Sequence, residues 1–222
     1  MKPAIVVTAL LLALSACGGG GSSDTPPPPP NLKSAQAPQQ PYTIQSTTLT
    51  ATDGSGNTDT VIFSQTPNSG TVTFNGQTAY SSALSITVLQ NGATIATEAS
   101  TDYYLENPFS PLGISGSTNG TSWYFLFNST TPLPTTLTVG DSGPVGSGTY
   151  YDATTNASIG SLTETYSVTA NDPTTVLLNV YASGTLNGNQ ESETITYTVN
   201  ASGNIALSSV QVTVNGQTLT FT

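Results

Sequence analysis

The sequence predicts an all-β fold: a single antiparallel meander domain in a strongly curled sheet or up-and-down barrel. A β-sandwich is the alternative, and no helix is expected beyond a signal peptide. Three observations lead there. After residue 20 no window spaces apolar residues at i, i+3, i+4 and i+7, whereas alternation with period two recurs throughout. Asn-Gly occurs five times, at 75–76, 91–92, 119–120, 187–188 and 215–216. It is the preferred type I′ hairpin turn because both residues tolerate positive φ. Thr, Val, Ile and Tyr dominate the runs between the turns, as a pleated, half-buried surface requires. So many short consecutive hairpins make a meander, and a meander of this length must curl or split into two sheets.

In chain order, residues 1–16 read as a secretory signal peptide, with Lys2 as the positive region, Ala4 to Leu14 as the apolar run and Ser15-Ala16 as the small-residue cleavage site. About a dozen apolar residues are too few to cross a bilayer as a helix, which takes ~20. Leu14-Ser15-Ala16-Cys17 then resembles the lipobox of bacterial lipoproteins, and Cys17 is the chain's single cysteine. The resemblance implies lipidation at Cys17, with palmitate among the acyl chains, and Gly18 in place of aspartate implies the outer membrane. One acyl chain holds only reversibly, whereas the three that the family carries anchor lastingly. The expected localisation is therefore the cell outer membrane, lipid-anchored and facing the periplasm or the surface.

Residues 17–41 read as the lipidated cysteine and a disordered tether: Gly18 to Gly21, then five prolines from Pro26 to Pro30, then Gln- and Pro-rich sequence. Residues 42–222 read as the β domain. Its charge is one-sided. The chain has no Arg or His, its last basic residue is Lys33, and its formal net charge is −10. Nucleic-acid binding, which rests on Lys and Arg displacing counterions, is excluded. Salt bridges between side chains cannot form inside the domain, nor can a disulfide. The membrane, through the lipid, is the expected partner, and a protein or small-molecule partner is unassigned.

Strands are expected near 42–52, 58–65, 69–75, 77–81, 83–90, 93–99, 101–106, 122–128, 147–153, 160–170, 174–186, 190–200, 203–214 and 217–222. Ile205 and Leu207 point one way and Val210, Val212 and Val214 follow in the opposite phase, so a β-bulge is expected at Ser208-Ser209. Residues 107–148 are the least regular, with five prolines around one apolar strand, Trp123 to Phe127. That strand is expected to be covered on both sides.

Four patterns touch on chemistry. Asp141-Ser142-Gly143 matches protease signatures, but no histidine exists to take the serine proton and no second copy exists to pair the aspartate, so it reads as a turn. Asp53, Ser55, Asn57 and Asp59 place oxygens at positions 1, 3, 5 and 7 of a calcium loop, although Thr58 stands where glycine belongs and Ser64 where glutamate does. Calcium bound there is the one cofactor or metal the sequence suggests. Glu164 shares a strand face with Leu162, Tyr166 and Val168, and Glu193 shares one with Ile195 and Tyr197. Two such carboxylates could meet in a barrel and bind a cation or act as a glycosidase pair. Water at the strand ends is their more ordinary place.

The run Pro132-Leu133-Pro134-Thr135-Thr136-Leu137-Thr138-Val139-Gly140-Asp141-Ser142-Gly143 resembles a motif of uncharacterised lipoproteins of Gram-negative bacteria. That resemblance implies no activity, so no functional residue carries over. The expectation is an outer-membrane lipoprotein with a non-catalytic binding or envelope-structural domain. A carrier of a hydrophobic or neutral ligand is the alternative, and a carboxylate-based hydrolase the remote one.

Overall fold

The computed structural model describes residues 31–37, 44–53, 55–106 and 109–222. The expected signal peptide, Cys17 and most of the Gly/Pro-rich stretch lie outside the described residues. Among the described residues the chain is all strand and turn. The first seven strands are β1 (Ser34–Gln36), β2 (Ile44–Thr52), β3 (Thr58–Pro67), β4 (Val72–Phe74), β5 (Gln77–Gln90), β6 (Ala93–Glu106) and β7 (Phe109–Thr118). Then come β8 (Thr121–Thr130), β9 (Thr136–Thr138), β10 (Ser142–Asp152), β11 (Ser158–Ala170), β12 (Thr175–Leu186), β13 (Asn189–Asn200), β14 (Ile205–Val214) and β15 (Gln217–Phe221).

Twelve of these follow one another around a single antiparallel sheet, in the order β15-β14-β13-β12-β11-β10-β8-β7-β6-β5-β3-β2. The sheet curls until its two edges meet. There Thr50 and Thr222 exchange N–H···O=C bonds of 3.1 and 3.0 Å, leaving a nearly closed barrel. Bringing the edges together at this pair covers part of the open row of backbone donors and acceptors that makes an edge strand sticky. Strand β4 lies off this path as a flap on β5, and its Phe74 stacks on Tyr103 at 4.0 Å.

The turn chemistry behaves as the sequence predicts. All five Asn-Gly pairs sit at positive φ, 47–51° at asparagine and 76–83° at glycine. In a meander, successive turns alternate between the two ends. Asn91-Gly92, Asn119-Gly120, Asn187-Gly188 and Asn215-Gly216 therefore share one end of the barrel, with the turn after β2 and the turn after β10. The expected bulge is present: Thr196 pairs with Ser209 and Tyr197 with Leu207, which leaves Ser208 as the extra residue.

The opposite end is plugged. Strands β1 and β9 pair as a two-stranded ribbon laid across it. The ribbon is tied to neighbouring turns by Leu32 N–H to the Asp172 carbonyl at 2.8 Å and Gln36 N–H to the Ala201 carbonyl at 3.2 Å. Its Ala35 and Leu137 are buried with Val168, Val176, Leu178, Val199 and Ile205. Residues 34–37 thus correct the expectation of disorder through residue 41. Alanine burial carries so little apolar area that no sequence pattern marks it.

Two further corrections concern the irregular segment. It contains a complete strand, β7, whose Pro111, Gly113 and Gly116 broke the alternation. Those glycines let rings approach: a Cβ on Gly116 would run into Trp123, and one on Gly113 into Phe74. The Trp123 to Phe127 strand is covered on one side, not both. Trp123 and Phe125 are buried inside the barrel, while Tyr124 is half-exposed outside and stacks on Tyr151 at 4.9 Å.

Outward-facing positions are largely Ser and Thr, joined in rows by hydrogen bonds such as Ser129–Ser147 at 2.9 Å and Thr213–Thr218 at 2.8 Å. Inward positions carry the apolar residues. A membrane-spanning barrel has the reverse arrangement, with an apolar band outside.

Candidate functional site

The interior is not uniformly apolar. Alternation along β11 turns Leu162, Glu164, Tyr166 and Val168 inward. Along β13 it turns Glu191, Glu193, Ile195 and Tyr197 the same way. The register then aligns the two strands: Glu164 pairs with Ala182 of β12, and Ala182 pairs with Glu193. The two carboxylates flank one small residue on the inner wall, two strand spacings apart, about 10 Å between backbones. Glu164 is 1% exposed and Glu193 8%. Sequence reasoning paired the right residues and placed them wrongly at wet strand ends.

Sequence reasoning missed the other half of this interior. On β6, Glu98, Ser100, Asp102 and Tyr104 face inward, and Glu98 and Ser100 are buried. Glu98 Oε2 accepts a hydrogen bond from Thr118 Oγ1 at 3.2 Å, and that hydroxyl is the acceptor for Trp123 Nε1 at 3.0 Å. Asp102 Oδ2 accepts from Gln65 Nε2 at 3.0 Å. The only signal was the run Glu98-Ser100-Asp102 in one phase of a strand, and a face of that composition reads as solvated.

Many of these polar atoms have no hydrogen-bond partner although solvent does not reach them: Glu98 Oε1, Asp102 Oδ1, Ser100 Oγ, Tyr197 Oη and both oxygens of Glu164. Asp102 as a residue is only half-buried, but its Oδ1 is sealed. A buried ionised carboxylate without a donor is expensive, and the group responds by holding its proton. Burial pushes Glu98, Asp102 and Glu164 up to about 8, with Asp102 raising both glutamates further and the Thr118 and Gln65 bonds working against the rise. Burial likewise lifts the half-buried Glu191 to about 7. The hydroxyls of Tyr150 and Tyr197 rise well above the ordinary tyrosine value, through burial first and the surrounding carboxylates second.

Beside Glu193 the interior opens into a pocket at the turn end, next to Asn187-Gly188 and Asn215-Gly216. Tyr150, Leu162, Leu186 and Val212 form its apolar walls, and Glu191 and Glu193 its polar one. Its cavity volume is about 30 Å³. Small residues create the space, since Ala182 and Gly184 line the β12 wall. On the other side of Tyr150, Phe125 lies against Gly148, where a Cβ would strike its ring.

The expected calcium loop is an exposed turn. Asp53 Oδ1 accepts the Ser55 and Asn57 N–H groups, both at 2.8 Å, and Oδ2 accepts Asn57 Nδ2 at 2.7 Å, which closes the turn on itself. Those bonds hold the Asp53 carboxyl below its ordinary pKa, the Asn57 side chain most of all. Asp59 sits apart from this turn, buried on β3, and accepts from Gln90 at 3.1 Å. Among the described residues no three His, Cys, Asp or Glu groups converge as a metal site would require. Asp141 serves its turn by accepting the Thr138 N–H at 2.9 Å.

Fold and site define an antiparallel barrel with a polar outside, one plugged end, and an acidic interior in which Glu164 and single oxygens of Glu98 and Asp102 lack donors. No family model, curated protein or solved structure matches this chain.

Proposed function

We propose that the chain is an outer-membrane-anchored lipoprotein whose barrel is a non-catalytic binding module, with a small ligand seated in the pocket at the turn end. The lipobox-like Leu14 to Cys17 supports the anchor. One observation carries the binding reading. Glu164 is sealed inside the barrel with neither oxygen hydrogen-bonded, and across Ala182 from it Glu193 lines a pocket. Native proteins pair nearly all such atoms, so an unpaired set near a pocket is what a site lacking its ligand looks like.

Catalysis draws less support. A glycosidase pair of Glu164 and Glu193 needs a sugar between the carboxylates, and about 30 Å³ holds no sugar ring. A hydrophobic cargo is disfavoured for the same reason, because ligand pockets for drug-sized molecules run to roughly 300–1,000 Å³.

Native mass spectrometry of the intact lipoprotein, released from its membrane in mild detergent, tests both parts. The expected result is an acylated Cys17 together with a discrete small-molecule addition to the barrel. A bare barrel mass in every preparation would refute the binding module, and unacylated Cys17 would refute the anchor.

A further inference from the structure

Resting on the binding reading, we infer that the pocket at the turn end takes a primary alkylammonium group, from a free aliphatic amine or from a lysyl side chain. Four features of the site lead to this chemistry. First, the acceptors are all of one kind. Glu191 and Glu193 stand two residues apart on the same face of β13, which puts their backbones about 7 Å apart. Glu164, with both oxygens unpartnered, stands behind this lining, two strand spacings from Glu193 across Ala182.

Second, nothing in the barrel can supply the complementary charge, since the last basic residue of the chain is Lys33. An ammonium brings three N–H donors and the missing positive charge together. An anion finds no positive partner here.

Third, the walls choose among cations. Leu162, Leu186 and Val212 offer a methylene chain an apolar surface, and Tyr150 offers a ring face to the charge. A bare metal ion would leave those walls unused, and no three acidic groups converge on one point among the described residues.

Fourth, the size fits a head group and not a whole molecule. About 30 Å³ accommodates roughly two water-sized groups. An ammonium and the methylene that bears it fill that space, and the next methylenes run along the apolar wall of Leu186 and Val212.

The experiment is a methyl NMR titration of the full lipoprotein in micelles at pH 7, following Leu186 and Val212. The probes are n-butylamine, its neutral counterpart n-butanol, and Nα-acetyl-lysine amide. Butylamine should shift both residues saturably, with butanol at least about tenfold weaker, the margin of one charge-assisted hydrogen bond. Lengthening the amine from methyl to butyl should tighten binding about threefold to fourfold per methylene. The Glu191→Gln, Glu193→Gln double variant keeps shape and removes charge, and it should lose at least about tenfold in affinity for butylamine with the remaining methyl spectrum unchanged.

Each outcome is decisive. If butanol binds as tightly as butylamine, the alkylammonium class is overturned while the binding module stands. If no probe shifts either methyl, both readings are overturned. Binding of the lysine amide equal to butylamine assigns the group to a protein partner's side chain, and binding tenfold weaker assigns it to a free amine.

Discussion

Replacing Glu164 with glutamine should make the barrel more stable, and increasingly so as the pH rises. In the folded protein burial holds Glu164 up to about 8, against an ordinary value of 4.5, and Asp102 adds to the rise. The groups facing it across the interior are Asp102, Glu193, Tyr150 and Tyr197, none of them cationic. The unfolded chain lets the carboxyl ionise at its ordinary value. Between those two values the native state therefore binds one proton more than the unfolded state, and unfolding releases it. Stability is full below about pH 4.5 and is lost as pH climbs towards 8. The slope is about 1.4 kcal/mol per pH unit for one group, so pH 5 to pH 8 removes about 4 kcal/mol through Glu164 alone. That is a large share of a typical 5–15 kcal/mol. Glu98 and Asp102 act in the same direction, and the three titrate as a coupled set. Urea denaturation at pH 5, 6, 7 and 8 and constant salt, read by Trp123, the single buried tryptophan, measures this directly. Wild type should lose at least about 1.4 kcal/mol per unit. Glu164→Gln should match it at pH 5 and exceed it by up to about 4 kcal/mol at pH 8. A flat wild-type profile, or two parallel ones, would refute the reasoning.

Four shorter predictions follow from other parts of the molecule. Cys17→Ala should abolish incorporation of radioactive palmitate, and label persisting in that variant would remove the anchor. Leu137→Ala, which empties the centre of the end plug, should destabilise by about 2–5 kcal/mol in urea. Gly148→Ala should cost about 1–3 kcal/mol and change the Phe125–Tyr150 contact in near-ultraviolet circular dichroism, because the added carbon meets the Phe125 ring. Calorimetry with calcium should give the same heat for Asp53→Ala as for wild type, since that carboxylate is already engaged by its own turn.

Most of the barrel could be read in advance because its signals are local. Asn-Gly turns and period-two alternation each act over a few residues, and both survive into the structure at 91–92, 119–120, 187–188 and 215–216. The phase slip that announced the bulge at Ser208 is of the same kind. What escaped depends on distant partners. β7 is a strand because Trp123 and Phe74 need glycine opposite them, and β1 because Leu137 and its neighbours need a cover. The continuous β5 and β6 were expected as pairs of shorter strands, since Ser81-Ser82-Ala83 and Ala99-Ser100-Thr101 show no apolar alternation. In the site, the shared faces of Glu164 and Glu193 were legible and their burial was not. Alternation says which way a side chain points; only closure of the sheet turns that direction into an interior.

The ribbon across the plugged end also gives the barrel a polarity. Asn31 and Leu32, the first described residues, meet Asn171 and Asp172 at that end. A lipid on Cys17 would tether this end to the bilayer through residues 18–30, which span about 45 Å when fully extended. The turn end with Asn187-Gly188 and Asn215-Gly216 would then face the aqueous compartment, a full barrel's length from the point of attachment. Under the proposed anchoring a ligand would reach the pocket from solution and not from the membrane.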